Sequence, residues 1–151
     1  MKKLFLQLPT VAVVALGLCG CTSSGSHPTS SASATAESPA AVAKSLADPL
    51  STTPPLGTKV IFQREGTGSQ AINLTGLTGS ATEVSVSWLC VGGSLQILDG
   101  PKEVLGSGCA TTPDGALAFG GKVPLDIVKS LTWKLQAGGS TAWRIAITAT
   151  G

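Results

Sequence analysis

From Gly57 to its last residue, this chain of 151 residues shows no strong amphipathic helical stripe. It is cut instead into short β-rich runs: "TKVIFQRE", "QAINLTG", "TEVSVSWLCV", "SLQILDG", "EVLGSGCA", "ALAFGG", "SLTWKLQAGG" and "TAWRIAITAT". The residues between them are Gly, Pro, Asp and Ser, the ones that turns demand. Two runs alternate with a period of two. Val84, Val86, Trp88 and Cys90 share one face, as do Trp143, Ile145 and Ile147, whereas Ser85, Ser87, Arg144, Ala146 and Thr148 fall on the opposite faces. Seven or eight strands in about 95 residues predict an all-β domain, an antiparallel β-sandwich of jelly-roll or other Greek-key type. "PLDIVKS", at 124–130, reads either as a strand or as one helical turn.

Upstream the texture changes. "TSSGSHPTSSASATAESPA" is rich in Ser, Thr and Ala and has no aromatic residue, so it cannot bury enough apolar surface to offset its ordering entropy. Residues 21–56 are therefore expected to form a flexible tether, whose Ser/Thr content permits O-glycosylation. Within it, Ser38-Pro39 resembles a helix start and Asp48-Pro49 a stop around "AAVAKSLA". A helix this short is marginal in water, so partial helicity is expected.

The first twenty residues have the shape of an export signal: a basic Met1-Lys2-Lys3 and then the apolar "LFLQLPTVAVVALGL", too short for a comfortable membrane span. They close on Leu18-Cys19-Gly20-Cys21, which resembles a bacterial lipobox. That resemblance implies cleavage after Gly20, loss of Cys19 with the leader, and a thioether from Cys21 to diacylglycerol. The partner at that point is membrane lipid, and the address is the extracytoplasmic face of the cell membrane. The bland alternative is an ordinary secretory signal with incidental cysteines. The chain divides accordingly into a signal peptide at 1–20, anchor and tether at 21–56, and a sandwich at 57–151.

Export bears on the two remaining cysteines. Cys90 ends a strand on its inward face, Cys109 follows 19 positions later, and an oxidising compartment favours a bond between them. The bridge is expected to tie neighbouring strands across a hairpin at Leu95–Leu98.

Charge and composition exclude several activities. The formal charge of +2 rests on Lys2 and Lys3, and the remainder balances, leaving no basic stripe for phosphates and no nucleic-acid partner. The lone histidine, His27, sits in the tether, so the domain has no imidazole for Ser-His-Asp or Cys-His catalysis or for a zinc site, and the chain has no tyrosine. No cofactor or metal is expected: no D-x-D-x-D-G-like run supports calcium, and Gly66-Thr67-Gly68 lacks the rest of a phosphate loop and reads as a hairpin loop.

Six carboxylates remain for hydrolysis, Glu65, Glu83, Asp99, Glu103, Asp114 and Asp126; Asp99-Gly100 and Asp114-Gly115 are better explained as turns. Trp88, Trp133 and Trp143 are candidate ligand-stacking residues, but their parity with Val, Ile and Leu neighbours places them in the core, with Phe62 and Phe119. The outward positions include Ser85, Ser87, Thr132, Lys134, Gln136, Arg144, Ala146 and Thr148, a polar and lightly charged surface.

The pattern "F-x-x-x-G-T-G … V-x-V-S-W-L-C … G-G-S-L … S-G-C … A-W-R-I-A-I" is similar to small lipoproteins of high-GC Gram-positive bacteria. In those proteins a G-T-G follows the first strand, two cysteines bracket a short hairpin, and a tryptophan opens the last strand. These features fall here at Gly66 to Gly68, at Cys90 with Cys109, and at Trp143. The family has no assigned activity, so the resemblance carries over no functional residue. "SWLC" replaces the "Y-S-C" common before the first of these cysteines.

The expectation is a non-catalytic, membrane-anchored binding module for an envelope protein or glycan. The alternatives are a carboxylate-dependent glycan hydrolase and a purely structural surface protein.

Overall fold

The alternating runs become strands. In the computed structural model, which describes residues 36–51, 56–128 and 130–151, there are eight: β1 (Thr58–Thr67), β2 (Gln70–Asn73), β3 (Glu83–Val91), β4 (Ser94–Asp99), β5 (Lys102–Gly108), β6 (Phe119–Pro124), β7 (Thr132–Ala137) and β8 (Ala142–Thr150). The leader, Cys19, Cys21 and His27 lie outside the described residues.

Pairing follows one plan. β1 lies antiparallel to β8, β2 to β7, β3 to β6 and β4 to β5, as in one long hairpin turned at β4–β5. Rolling that hairpin brings β8 beside β3 and β7 beside β4. The result is two four-stranded sheets, β1-β8-β3-β6 (sheet A) and β2-β7-β4-β5 (sheet B), in jelly-roll order. Most connections therefore change sheets. Gly66–Gly68 is not a hairpin loop but an inter-sheet corner, because β1 and β2 belong to different sheets; Gly92–Gly93 and Gly138–Gly139 turn corners of the same kind. The β4–β5 connection is a true hairpin, turning at Gly100 with φ 60°.

The inner faces meet in one core. Sheet A contributes Val84, Val86, Trp88, Cys90, Trp143, Ile145 and Ile147, and sheet B contributes Ile72, Leu95, Ile97, Trp133 and Leu135, all buried. The period-two reading holds for these inward positions. It fails for part of the outward set: Ala146 and Thr148 are buried as well. β8 runs between β1 and β3, so its short outward side chains sit low among those of both neighbours.

A helix supplies further cover. α1 (Pro39–Ser45) starts at Ser38, whose Oγ accepts the Ala41 N–H at 3.3 Å, and lies against β1, β8 and β3 of sheet A. Ala43 and Leu46 are buried, and a second apolar cluster joins Leu46 to Leu89 and Val91, with Val42, Ala110 and Ala116 around them. The short stretch expected to be partly helical thus forms a packed helix, because contact with the sheet provides what seven residues cannot provide alone, while residues 21–35 of the expected tether lie outside the described residues.

Three local readings are resolved or corrected. "PLDIVKS" makes a 3-10 turn at Leu125–Ile127. Asp114-Gly115 lies in another at Pro113–Gly115. Phe119 is not in the core: it begins edge strand β6, 37% exposed, with its ring 6.2 Å from that of Trp88.

Candidate binding surface

Strand direction gives the sandwich two unlike ends. At one end lie the β1–β2, β3–β4 and β7–β8 corners and the β5–β6 connection. The Cys90–Cys109 bond closes there, with Cα atoms 4.9 Å apart. It does not tie neighbouring strands across Leu95–Leu98, which is part of β4. It spans the two sheets, from the end of β3 in sheet A to the exit of β5 in sheet B, around the base of the β4–β5 hairpin. Backbone bonds line the same seam: Ala110 N–H donates to Cys90 O at 3.0 Å, Gly92 N–H to Ala110 O at 2.8 Å, and Cys109 N–H to Gly93 O at 2.9 Å.

The G-T-G corner has a structural use at this end. Gly68 adopts φ 64°, donates its N–H to Thr141 O at 3.0 Å, and accepts the indole N–H of Trp143 at 2.7 Å through its own carbonyl. Gly66 lies against the ring: a Cβ there would sit 2.9 Å from Cζ2 of Trp143. The motif therefore seats a core tryptophan.

All three tryptophans are buried, Trp88 at 2%, Trp133 at 1% and Trp143 at 0% exposure. Trp88 donates from Nε1 to Ser107 Oγ at 2.9 Å, joining sheet A to sheet B. All three indoles are packed into the core, and Trp133 also borders a surface depression.

The carboxylates belong to different parts of the fold. Glu65 lies on β1 opposite Arg144, and Glu83 pairs with Lys122 at 2.9 Å. Glu103 accepts from Gln96 Nε2 at 2.7 Å on sheet B, Asp99 is buried at the β4–β5 turn, and Asp114 and Asp126 sit in the two 3-10 turns. Among the described residues, no group of three or more His, Cys, Asp or Glu side chains is placed to hold a metal ion.

Besides a depression of about 300 Å³ lined by Gln63, Arg64, Glu65 and Arg144, two others open among the described residues. One, of about 290 Å³, opens at the end opposite the disulfide between Leu77, Ala81, Leu125, Val128 and Leu131. The other, of about 420 Å³, lies where β2, β7 and the β4–β5 turn meet, lined by Ser69, Gln70, Ala71, Gly100, Thr132, Trp133 and Lys134. It adjoins the outer face of sheet B, where Asn73, Lys134 and Gln136 are exposed and Gln96 is half-buried. This face carries donors and acceptors, with the exposed Ala71 and open space beside Gly100 leaving room for a ligand to approach, whereas the Glu103 carboxylate covers Gly106.

Alternation had already placed Thr132, Lys134 and Gln136 outward. It missed Ser69, Gln70 and Gly100, which reach the depression only through the rolled topology and carry no signal of their own.

No protein-family model, no curated protein and no solved structure matches this chain.

Proposed function

We propose that this chain is a lipid-anchored, extracytoplasmic β-sandwich acting as a non-catalytic binding module of the cell envelope, and that it engages a polar envelope glycan on the outer face of sheet B. The observation that carries the reading is the depression beside Lys134, Thr132 and Gln70, which opens onto a face of amide and hydroxyl groups with little charge. Such a site holds a ligand against mainly apolar walls, Ala71 and the Trp133 edge among them, and orients it by a few hydrogen bonds from Gln70, Thr132 and Lys134 rather than by long-range attraction. Export is supported by the disulfide, a bond that persists in oxidising compartments. Anchoring is supported by Leu18-Cys19-Gly20-Cys21, and the non-catalytic role by the position of His27 in the tether and by the scatter of the six carboxylates over both sheets and both 3-10 turns.

Two measurements test the reading. Mass spectrometry of the mature protein from an exporting bacterial host should find an N-terminal Cys21 carrying diacylglycerol, and Cys21→Ser should release the protein from the membrane. An unmodified Cys21 ends the anchor. Separately, the chain from Cys21 onward should co-sediment with insoluble cell-wall glycan without releasing soluble sugar. Ala71→Arg fills the depression from an exposed position and should weaken that binding at least about tenfold, the equivalent of one or two lost hydrogen bonds. Equal binding by wild type and variant would remove the face, and sugar release would establish the hydrolase instead.

A further inference from the structure

We propose that the depression on sheet B selects sugars that carry an anionic group, and that Lys134 is the residue that selects them. The inference rests on the glycan-binding reading above and deepens it by naming the ligand's charge. Lys134 lies on the outer face of β7, with Thr132 and Gln136 two positions to either side. Its cross-strand neighbours are Ala71 on β2 and Leu98 on β4, whose side chains offer no acceptor.

The ammonium is left without a counter-charge. On sheet A, Lys122 pairs with Glu83 at 2.9 Å and Arg144 with Asp48 at 3.5 Å. Lys134 has no carboxylate partner among the described residues: its Nζ meets Gln136 Oε1, at 3.4 Å. The other residues that line the depression are all neutral. Glu103, further along the same cross-strand row, stands opposite Leu98 on β5, where it accepts from Gln96 Nε2 at 2.7 Å.

Chemistry then narrows the ligand. An ammonium has three donors, and one amide oxygen at this distance satisfies a single one of them weakly. A carboxylate or phosphate oxygen brought to the other two makes charge-assisted hydrogen bonds, about twice as strong as those between neutral groups. The walls define the rest: Ala71 and the Trp133 edge face the C–H side of a sugar ring, while Gln70 and Thr132 meet its hydroxyls. One cation among neutral donors and apolar walls matches one anion per sugar. It does not match a polyanion, which needs a basic stripe. With the other charges of the domain in balance, the attraction acts at short range.

Co-sedimentation of the chain from Cys21 onward with insoluble bacterial cell-wall glycan tests the inference. The wall is used untreated, carboxyl-reduced with carbodiimide and borohydride, or stripped of phosphodiester-linked polymers with hydrofluoric acid. Binding should drop at least about tenfold on one of the treated walls or both, and the treatment that removes it identifies carboxylate or phosphate as the anion. Lys134→Met should cause the same loss on the untreated wall, and Lys134→Arg, which keeps the charge, should stay within about threefold of the wild type. Both variants should keep the wild-type melting midpoint, because the side chain is exposed. Salt at about 0.5 M should close most of the gap between Lys134→Met and the wild type.

Position 71 gives an independent check. Ala71→Glu fills the depression as Ala71→Arg does, but it puts a carboxylate directly opposite Lys134. It should therefore bind at least about tenfold more weakly than Ala71→Arg. Wild-type binding that is weakened by Ala71→Arg, yet is indifferent to both wall treatments and to Lys134→Met, would overturn the anionic ligand and leave the glycan face standing. No wild-type binding to any wall, or full binding by both Ala71 variants, would remove the face and this inference with it.

Discussion

Replacing Trp143 by alanine is expected to cost about 4–5 kcal/mol, placing it among the most destabilising single changes in the domain. The side chain is wholly buried at the start of β8, the strand flanked on both sides in sheet A. Its removal leaves a cavity and strips the Gly68 carbonyl of its indole donor at 2.7 Å. Trp143→Phe keeps most of the volume but loses the donor, so it should fall between the two. Trp133 provides the control: it is buried to the same degree, but among the described residues no protein group accepts from its Nε1, so Trp133→Phe should cost less than Trp143→Phe. Urea unfolding followed by circular dichroism gives the values. The G-T-G corner supplies a second check through coupling. Gly66→Ala puts a methyl group 2.9 Å from the Trp143 ring and should cost about 1–3 kcal/mol in the wild type. In the Trp143→Ala background the obstacle is gone, and the same change should cost close to nothing. Additive costs would show that Gly66 is there for its backbone alone.

This corner also marks how far local pattern could be followed. Gly66-Thr67-Gly68 announces that the chain turns, but a hairpin and an inter-sheet corner use the same residues. The choice is made by β8 and β7, some seventy positions away, which claim β1 and β2 for different sheets. Inward positions were legible because a period of two leaves Val84, Val86 and Trp88 no polar alternative. Outward positions were only half legible: Ala146 and Thr148 suit water and packing equally, and flanking strands decided for packing. Phe119 misled in the opposite direction, since an edge strand leaves one side of its ring uncovered. The helix at Pro39–Ser45 had correct caps in the sequence, but its stability comes from Leu89 and Val91, about forty-five positions downstream. The candidate surface divides in the same way. Thr132, Lys134 and Gln136 followed from alternation on one strand, whereas Ser69, Gln70 and Gly100 join them through pairings that no local window contains.

Loss of the Cys90–Cys109 bond should lower stability by about 3 kcal/mol, the loop-closure value for cysteines 19 positions apart. For a unit of this size the midpoint of thermal unfolding should fall by roughly 10–20 °C. The bond restricts the unfolded chain more than it shapes the folded one. Ala110, Cys109 and Gly92 bind the Cys90–Gly93 seam through three backbone hydrogen bonds that need no sulfur. Reduced protein should therefore keep the native fold at low temperature, with a near-wild-type spectrum and a much lower midpoint. The Cys90→Ala, Cys109→Ala double variant should reproduce the reduced protein to within about 1 kcal/mol, since Cys90 is fully buried and alanine leaves only a small void. A reduced midpoint within 3 °C of the oxidised one would mean that the unfolded ensemble already holds this loop closed. The same measurement bears on where the domain works. A domain that loses this much stability when the Cys90–Cys109 bridge opens would fit the extracytoplasmic address proposed above. Protein made in a reducing cytoplasm should melt like the reduced form until oxidation restores the bond between the sheets.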